Sequence, residues 1–484
     1  MECLHISFQK VVDAGMFTGI NLNQSVNLSH LFYADDEVFV GQWNDRNINT
    51  ITHVLKCFFH ASGLRINTSK SKIMGIHVNR DIVQHVAGKM GCLILNSPFS
   101  YLGTKVGGNM SRAEAWKEVV DKVSSRISKW KMNALSIGGR LTLLKSVLGS
   151  ISIFHMSIFR VPSSVLHKLE SIRRNFFNGH DYDSRKASWV KWSYVLADKA
   201  KGGLGVSSLF AINPGLMIKW LWKFCDKKHS LWSKIIKAIH GNDGKVDLIR
   251  LKLGNGESAS FWHDNWSGSG VVKDLFPRLF ALENHKEVSV RSKLDDSCLD
   301  CTFRRSARGG IEQVQFDALV NLVNLINLAH IVDRWVWTLK GSGEFSVAYI
   351  RKVIDANRLK SDHSKTRWVK FVPIKINVLA WKIKMDALPS WFNISRRGID
   401  IPSLSCPICD ASIETTDHLF FRYHMAKQIT RKIATWWEFD QVENNTYADW
   451  SSWLSTLRLP FKNKAMLEEV KHHSAGMIGL KTLI

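Results

Sequence analysis

Two adjacent carboxylates, Asp35 and Asp36, fall between apolar runs in His30-Leu-Phe-Tyr-Ala-Asp-Asp-Glu-Val-Phe-Val-Gly41. Crowding Asp35, Asp36 and Glu37 into one turn is unfavourable by self-repulsion. A divalent cation relieves it, and hard oxygen donors suit magnesium or manganese. The competing reading is a solvated acidic turn. A second constellation lies far downstream. Cys406-Pro-Ile-Cys409 is a knuckle whose two thiolates reach one ion, and the pattern continues as Cys-x2-Cys-x8-His-x5-His through His418 and His424. Sulfur and imidazole in that mixture suit tetrahedral zinc, with Cys406, Cys409 and His418 as ligands. His424 is the candidate fourth, after a small backbone adjustment; without it the ion is held weakly or keeps a water. Cys298-Leu-Asp-Cys301 repeats the local spacing with no histidine at a suitable distance, so free thiols are expected there. Cys3, Cys57, Cys92 and Cys225 are isolated and read as packing residues.

The elements that must hold these groups emerge from periodicity. Residues 31–34 and 38–40 are aromatic and β-branched, which reads as two short buried strands flanking an acidic turn. Side chains alternate across a strand, so Asp35 and Asp36 face one ion together only if the turn bends them. Asn44-Asp45 caps a helix carrying Ile48, Ile51, Leu55, Phe58 and Phe59. From 112 to 130, Trp116, Val119, Val120, Val123, Ile127 and Trp130 form the stripe of an amphipathic helix flanked by Lys117, Lys122 and Arg126. Leu141, Leu144, Val147 and Leu148 suggest a second helix after the Gly138-Gly-Arg140 turn. These basic flanks are either a grip on a nucleic-acid duplex or a solvated face. Gly202-Gly-Leu-Gly205 lacks the Lys-Ser/Thr ending of a phosphate loop. Leu253-Gly-Asn-Gly-Glu257, followed by Phe261-Trp-His-Asp-Asn-Trp266, reads as an Asn-Gly hairpin with aromatic strands whose role is first of all structural, with His263-Asp264 as a lesser site candidate.

Four segments in order carry a resemblance. Tyr33-Ala-Asp-Asp36, Gly63-Leu-Arg-Ile-Asn67 with Lys70-Ser71, and Tyr101-Leu-Gly103 resemble the C-terminal half of a reverse transcriptase palm. Leu135-Ser-Ile-Gly-Gly-Arg-Leu-Thr-Leu-Leu-Lys-Ser146 resembles the stretch next after the palm in the same polymerases. The family resembled is that of plant LINE-type, non-LTR retrotransposons. Residues from about 345 to 437 resemble the zinc-binding domain C-terminal to these polymerases, through Trp368, Pro373-Ile-Lys375, Trp381, Leu388-Pro389, Arg397-Gly398 and the Cys-Xaa-Xaa-Cys…His pattern. The resemblance implies an RNA-directed DNA polymerase working on an RNA template and a DNA primer. It implies magnesium or manganese at Asp35, with Asp36 secondary, zinc at the C-terminal domain, and Lys70, Lys72, Arg140 and Lys145 as nucleic-acid contacts. The family also carries an upstream aspartate and a Gln-Gly-Xaa-Pro loop. Asp13 is the upstream candidate, but it sits in a helix-like stretch that does not match. Glu37 stands where a small or apolar residue is usual, and Tyr423 where the family has a cysteine. The chain is therefore expected to begin inside the palm, N-terminally truncated, and to be inactive alone.

Composition sets the outer limits. The 484 residues carry a formal net charge of +24, with 66 basic residues spread along the length, which fits a polyanionic partner. No apolar run reaches the roughly 18 residues that span a bilayer. No secretory leader is apparent, and eight cysteines in so long a chain form no disulfide scaffold. A reducing, nuclear or cytoplasmic setting is expected. The fold is expected to be α+β, divided as a partial palm sheet over 1–110, a helical thumb-like region over 111–180 and a mixed connection over 181–344. A small, mainly helical zinc-binding domain over 345–440 and a tail over 441–484 complete it. Two functions compete: a polymerase of a LINE-like element, or a non-catalytic, zinc-containing, nucleic-acid-binding remnant of one. A basic adaptor that binds proteins through its many tryptophans has no motif behind it.

Overall fold

Apolar stripes at helical spacing set most of the architecture. The computed structural model describes residues 2–23, 26–128, 135–181, 188–226, 230–240, 248–296, 298–359, 364–439, 444–460 and short pieces between 463 and 470. Trp130 and most of the tail after 460 lie outside the described residues. The fold is α+β, and the chain divides into two compact units. One comprises Met1–Gly108 and Ile218–Phe345, the other Asn109–Met217 and Ser346–Ile484.

In the first unit, helix Glu2–Asp13 lays Leu4 and Phe8 over the acidic hairpin, where the Phe8 ring meets those of Phe17, His30 and Phe39. Helix Asp45–Ser62 adds Val54 and Phe58 to this core. Asn44 starts it by accepting the Asn47 amide at 2.7 Å, and Gly63 ends it with φ 72°, a conformation that glycine adopts without Cβ strain. The hairpin pairs His30–Tyr33 with Asp36–Phe39, Tyr33 opposite Asp36. Only Ala34 and Asp35 form the turn, so Asp36 and Glu37 belong to the second strand instead of the loop expected for them. Nor are the strands buried. Tyr33 is 64% exposed and Leu31 40%. Every sheet among the described residues is two-stranded, so the strand component is a set of separate pairs where a partial palm sheet was expected.

A second core in the same unit gathers Phe261, Trp262, Trp266, Leu279, Val290 and Leu319. Here the expected Asn-Gly hairpin is absent. Strand Ile249–Lys252 pairs instead with the distant Arg334–Trp337. Residues 253–259 wrap the carboxylate of Asp333, which accepts the amides of Gly254 (2.7 Å), Gly256 (2.9 Å), Ser258 (3.0 Å) and Ala259 (3.1 Å). Four amides converging on one anion satisfy backbone that a hairpin ladder would otherwise have to pair. Nearby, the fully buried Lys293 ammonium lies 2.7 Å from Glu283. Cys298 and Cys301 are joined in a disulfide, correcting the expectation of free thiols; their Cα atoms are 5.6 Å apart, a separation a bridge spans. Cys3 and Cys57 are exposed rather than packed.

The second unit is built on the stripe of helix Lys117–Ser128. Trp116, Val119, Val120, Val123 and Ile127 are buried against helix Ser163–Asn178 and its Leu169, Ile172 and Phe176. The same core takes in Val378, Trp381 and Ala387, so segments far apart in sequence share one interior. Gly138 permits this. Helix Ile137–Leu143 packs on helix Ile374–Lys384 so closely that a Cβ at 138 would fall 2.6 Å from the Lys375 amide nitrogen. The glycine-rich 202–205 turn is structural. Gly202 O accepts the Trp381 indole N–H (2.8 Å) and Gly203 O the Thr366 hydroxyl (2.8 Å).

Candidate metal centre and basic residues

The Cys406–Cys409 knuckle is shaped by its own backbone. Ser405 bridges Ile413 in antiparallel fashion, Cys406 N donates to Ser412 O (2.8 Å), and Asp410 N turns back to Cys406 O (2.9 Å). Asp410 takes φ 48°, which closes the loop. His418 arrives from the first residue of the π-type turn His418–Arg422, its amide held by the Thr415 hydroxyl at 3.0 Å. The donor atoms of Cys406, Cys409 and His418 lie within 4.8 Å of one another, with Cys409 Sγ 3.3 Å from His418 Nε2. A tetrahedral zinc with ordinary Zn–S and Zn–N bonds would set that edge at about 3.6 Å. The residues therefore fit the ion. Cys406 is wholly buried among Leu419, Phe420 and Trp450. Burial, and then Arg422, push the His418 imidazole below its ordinary value, favouring the neutral form that ligates.

Around this cluster, Thr416 donates to Asp386 (2.6 Å), whose carboxylate also accepts Asn393 (3.0 Å). Glu414 receives the amide of Trp391 at 3.0 Å, at the start of helix Trp391–Ser395. These bonds tie the knuckle to the loop after helix Ile374–Lys384. His424 lies outside the cluster. It is exposed at the start of helix His424–Trp436, with Nε2 3.2 Å from Gln428.

Asp35 and Asp36 are both exposed at the hairpin tip, and no third acidic, histidine or cysteine donor joins them in a metal-sized cluster among the described residues. Asp13 ends the first helix, exposed and bonded by Gln9 at 2.8 Å. Glu37 is half-buried, one carboxylate oxygen without a partner among the described residues. Burial above all, with Asp36 adding to it, raises its pKa.

The basic candidates divide in two. Lys70, in the turn after Asn67, and Lys72, on strand Lys72–Ile73, are exposed in the first unit. Arg140 and Lys145 lie in the second. Arg140 packs its guanidinium on Gly179, and its buried Nε has no hydrogen-bond partner among the described residues. Lys145 is exposed as a residue, yet its ammonium donates to Leu204 O (2.7 Å); burial, and then Lys199, lower its pKa to about 8. Sequence reasoning missed Lys382, which burial and the neighbouring Arg140 also bring to about 8. Its signal was a lysine set between the core residues Trp381 and Ile383.

Residues 345–429 match the family described as zinc-binding in reverse transcriptase. A putative ribonuclease H protein of Arabidopsis thaliana is 24% identical over 343 residues, 63% of this chain and 54% of the relative. An uncharacterized mitochondrial protein of the same plant is 24% identical over 142 residues, 24% of this chain and 92% of the relative. The chain thus spans about half the length of the first of these proteins. These matches support a reverse-transcriptase-related element that carries a zinc-binding domain. No helix among the described residues is long and apolar enough to cross a membrane.

Proposed function

We propose that this chain is a nucleic-acid-binding part of a LINE-type reverse transcriptase, with one domain organised by zinc on Cys406, Cys409 and His418. The observation that carries the reading is that three-donor cluster, inside the segment that matches the zinc-binding family. Zinc would supply a structural cross-link between the knuckle and the turn that presents His418, on the order of 10 kcal/mol in small zinc domains. The partners are an RNA template and a DNA primer, held through Lys70, Lys72, Arg140 and Lys145. Zinc content by elemental analysis, with a gel-shift assay, tests this. Cys406→Ser with Cys409→Ser releases the metal; unchanged metal content refutes the ligand set. Loss of zinc in His424→Ala as well would make His424 the fourth ligand, reached by a backbone shift.

A second reading, catalysis at Asp35 and Asp36, is favoured by the Tyr33-Ala-Asp-Asp36 sequence at a hairpin tip. Nucleotide addition uses two metal ions that clamp the attacking and leaving oxygens. Asp35 and Asp36 gather no further donor among the described residues, so these two side chains hold such a pair only with carboxylates added from elsewhere. Primer extension in magnesium or manganese decides between the readings. The expected result is no extension by the chain or by Asp35→Asn. Extension that Asp35→Asn abolishes would make the chain itself a polymerase.

A further inference from the structure

A cavity of about 620 Å³ opens in the second unit between residues 188–194 and the loop region carrying Met385, Ala387 and Arg397. Its volume is in the range of small-ligand sites. The lining is unusual in chemistry. Three cations, Arg174, Lys191 and Arg397, share it with the indoles of Trp189 and Trp192, and no acidic residue lines it among the described residues. Among the described residues none of the three cations has a carboxylate partner. Arg174 donates to the neutral Ser171 hydroxyl (3.0 Å) and Asn175 amide oxygen (3.4 Å). Arg397 lies over the Trp189 ring at 4.0 Å and donates to Trp189 O at 3.2 Å. Trp192 is fixed as well. Its indole N–H donates to Glu170 at 2.8 Å, and that carboxylate is already matched by the buried Arg173 at 2.9 Å.

Flat, pre-positioned π surfaces beside cations that have no carboxylate partner among the described residues answer two chemical features at once, an aromatic base and an adjacent phosphate. A duplex hides its bases, so a partner that uses both must be unpaired. We propose that this cavity receives an unpaired nucleotide of a single nucleic-acid strand. The base stacks on the Trp189–Arg397 pair and against Trp192, while Lys191 and Arg174 meet the flanking phosphates. The proposal rests on the nucleic-acid reading above and adds to it a strand state and a place.

The test uses the zinc-loaded full chain and fluorescence anisotropy. The probes are a short single-stranded RNA, the same strand with abasic positions, and the same strand in a blunt duplex. Lys191→Ala with Arg397→Ala removes two exposed side chains outside the hydrophobic core, and Trp189→Ala removes the stacking surface. The expected outcome is a loss of about tenfold in single-strand affinity for each variant, a comparable loss for the abasic strand, and less than about threefold change for duplex. Equal losses on single strand and duplex, or an abasic strand that binds as well as the intact one, would overturn the cavity assignment. A nucleoside monophosphate that binds as tightly as the strand would make the occupant a free nucleotide and overturn it too. Should Trp189→Ala fail to fold, a 4-thiouridine strand cross-linked to the wild-type chain reports directly. Adducts on the peptide holding Trp189 and Trp192 support the site, and adducts confined elsewhere refute it. A wild-type chain that binds none of the three probes refutes the nucleic-acid reading itself.

Discussion

A single carboxylate organises what looked, in sequence, like a hairpin. Asp333 gathers four backbone amides from residues 254–259 and the Ser258 hydroxyl (3.1 Å), and so fixes the entry to the aromatic core around Phe261 and Trp262. Burial alone would raise its pKa, but the amide hydrogen bonds outweigh it and hold the carboxyl below its ordinary value. A lowered acid binds fewer protons folded than unfolded, so its contribution is complete above the unfolded value. It is lost as pH falls through the folded one. Asp333→Ala should therefore cost about 2–4 kcal/mol at neutral pH, since several amides lose their acceptor at once. The gap between variant and wild type should close at acid pH. Urea unfolding at a series of pH values measures both; a gap that persists undiminished at the acid end would mean that the loop holds its shape by other means. The candidate zinc ligands differ in legibility. Cys406, Cys409 and His418 announced themselves by spacing because the knuckle is a local structure, closed within its own loop. His424 shares the same sequence pattern, yet it opens a helix whose first turn faces it outward toward Gln428.

At the scale of elements, local signals were readable and tertiary ones were not. The apolar stripe from Trp116 to Ile127 and the Asn44 cap reappear as buried helix face and hydrogen bond, since both are set by neighbours within a few residues. Strand partners were not readable. Ile249–Lys252 pairs with a segment about eighty residues away, and the hairpin at Asp35 leaves Leu31 and Tyr33 exposed. The crossing of helix Ile137–Leu143 with helix Ile374–Lys384 was equally invisible, although Gly138 is the residue that allows it. That packing brings Arg140 near Lys382, and burial is the larger cause of the low Lys382 pKa. The pKa of about 8 compares with 10.5 for an unperturbed lysine, so the folded state binds this proton more weakly than the unfolded chain. Stability then rises with pH between about 8 and 10.5, and the charge is a full liability below that window. Lys382→Met should stabilise the chain by about 3 kcal/mol at pH 7 and flatten its stability over that alkaline range. Thermal unfolding at pH 7 and pH 10 provides the comparison; a destabilised variant would mean that the ammonium makes favourable contacts that outweigh its burial.

For the whole molecule, charge is the property that reaches furthest. A formal +24 is distributed over both units, and in the second unit Arg174, Lys191 and Arg397 stand without carboxylate partners among the described residues. Each cation that meets a phosphate releases condensed counterions, so log affinity falls linearly with log salt, with slope about −0.9 per contact on duplex and −0.7 on single strands. Tryptophans that stack on bases add affinity without adding to that slope. Single-strand binding should therefore be less steep in salt than duplex binding, and tighter than duplex at high salt. If six or more phosphates are engaged, duplex affinity should drop about a thousandfold or more between about 50 and 200 mM salt. Anisotropy titrations across that range, on the strand and on its duplex, give both slopes. Parallel lines would show that charge alone does the binding and that the aromatic cavity takes no base. A flat duplex line would remove the polyanion as partner and leave the tryptophans to a protein-binding role.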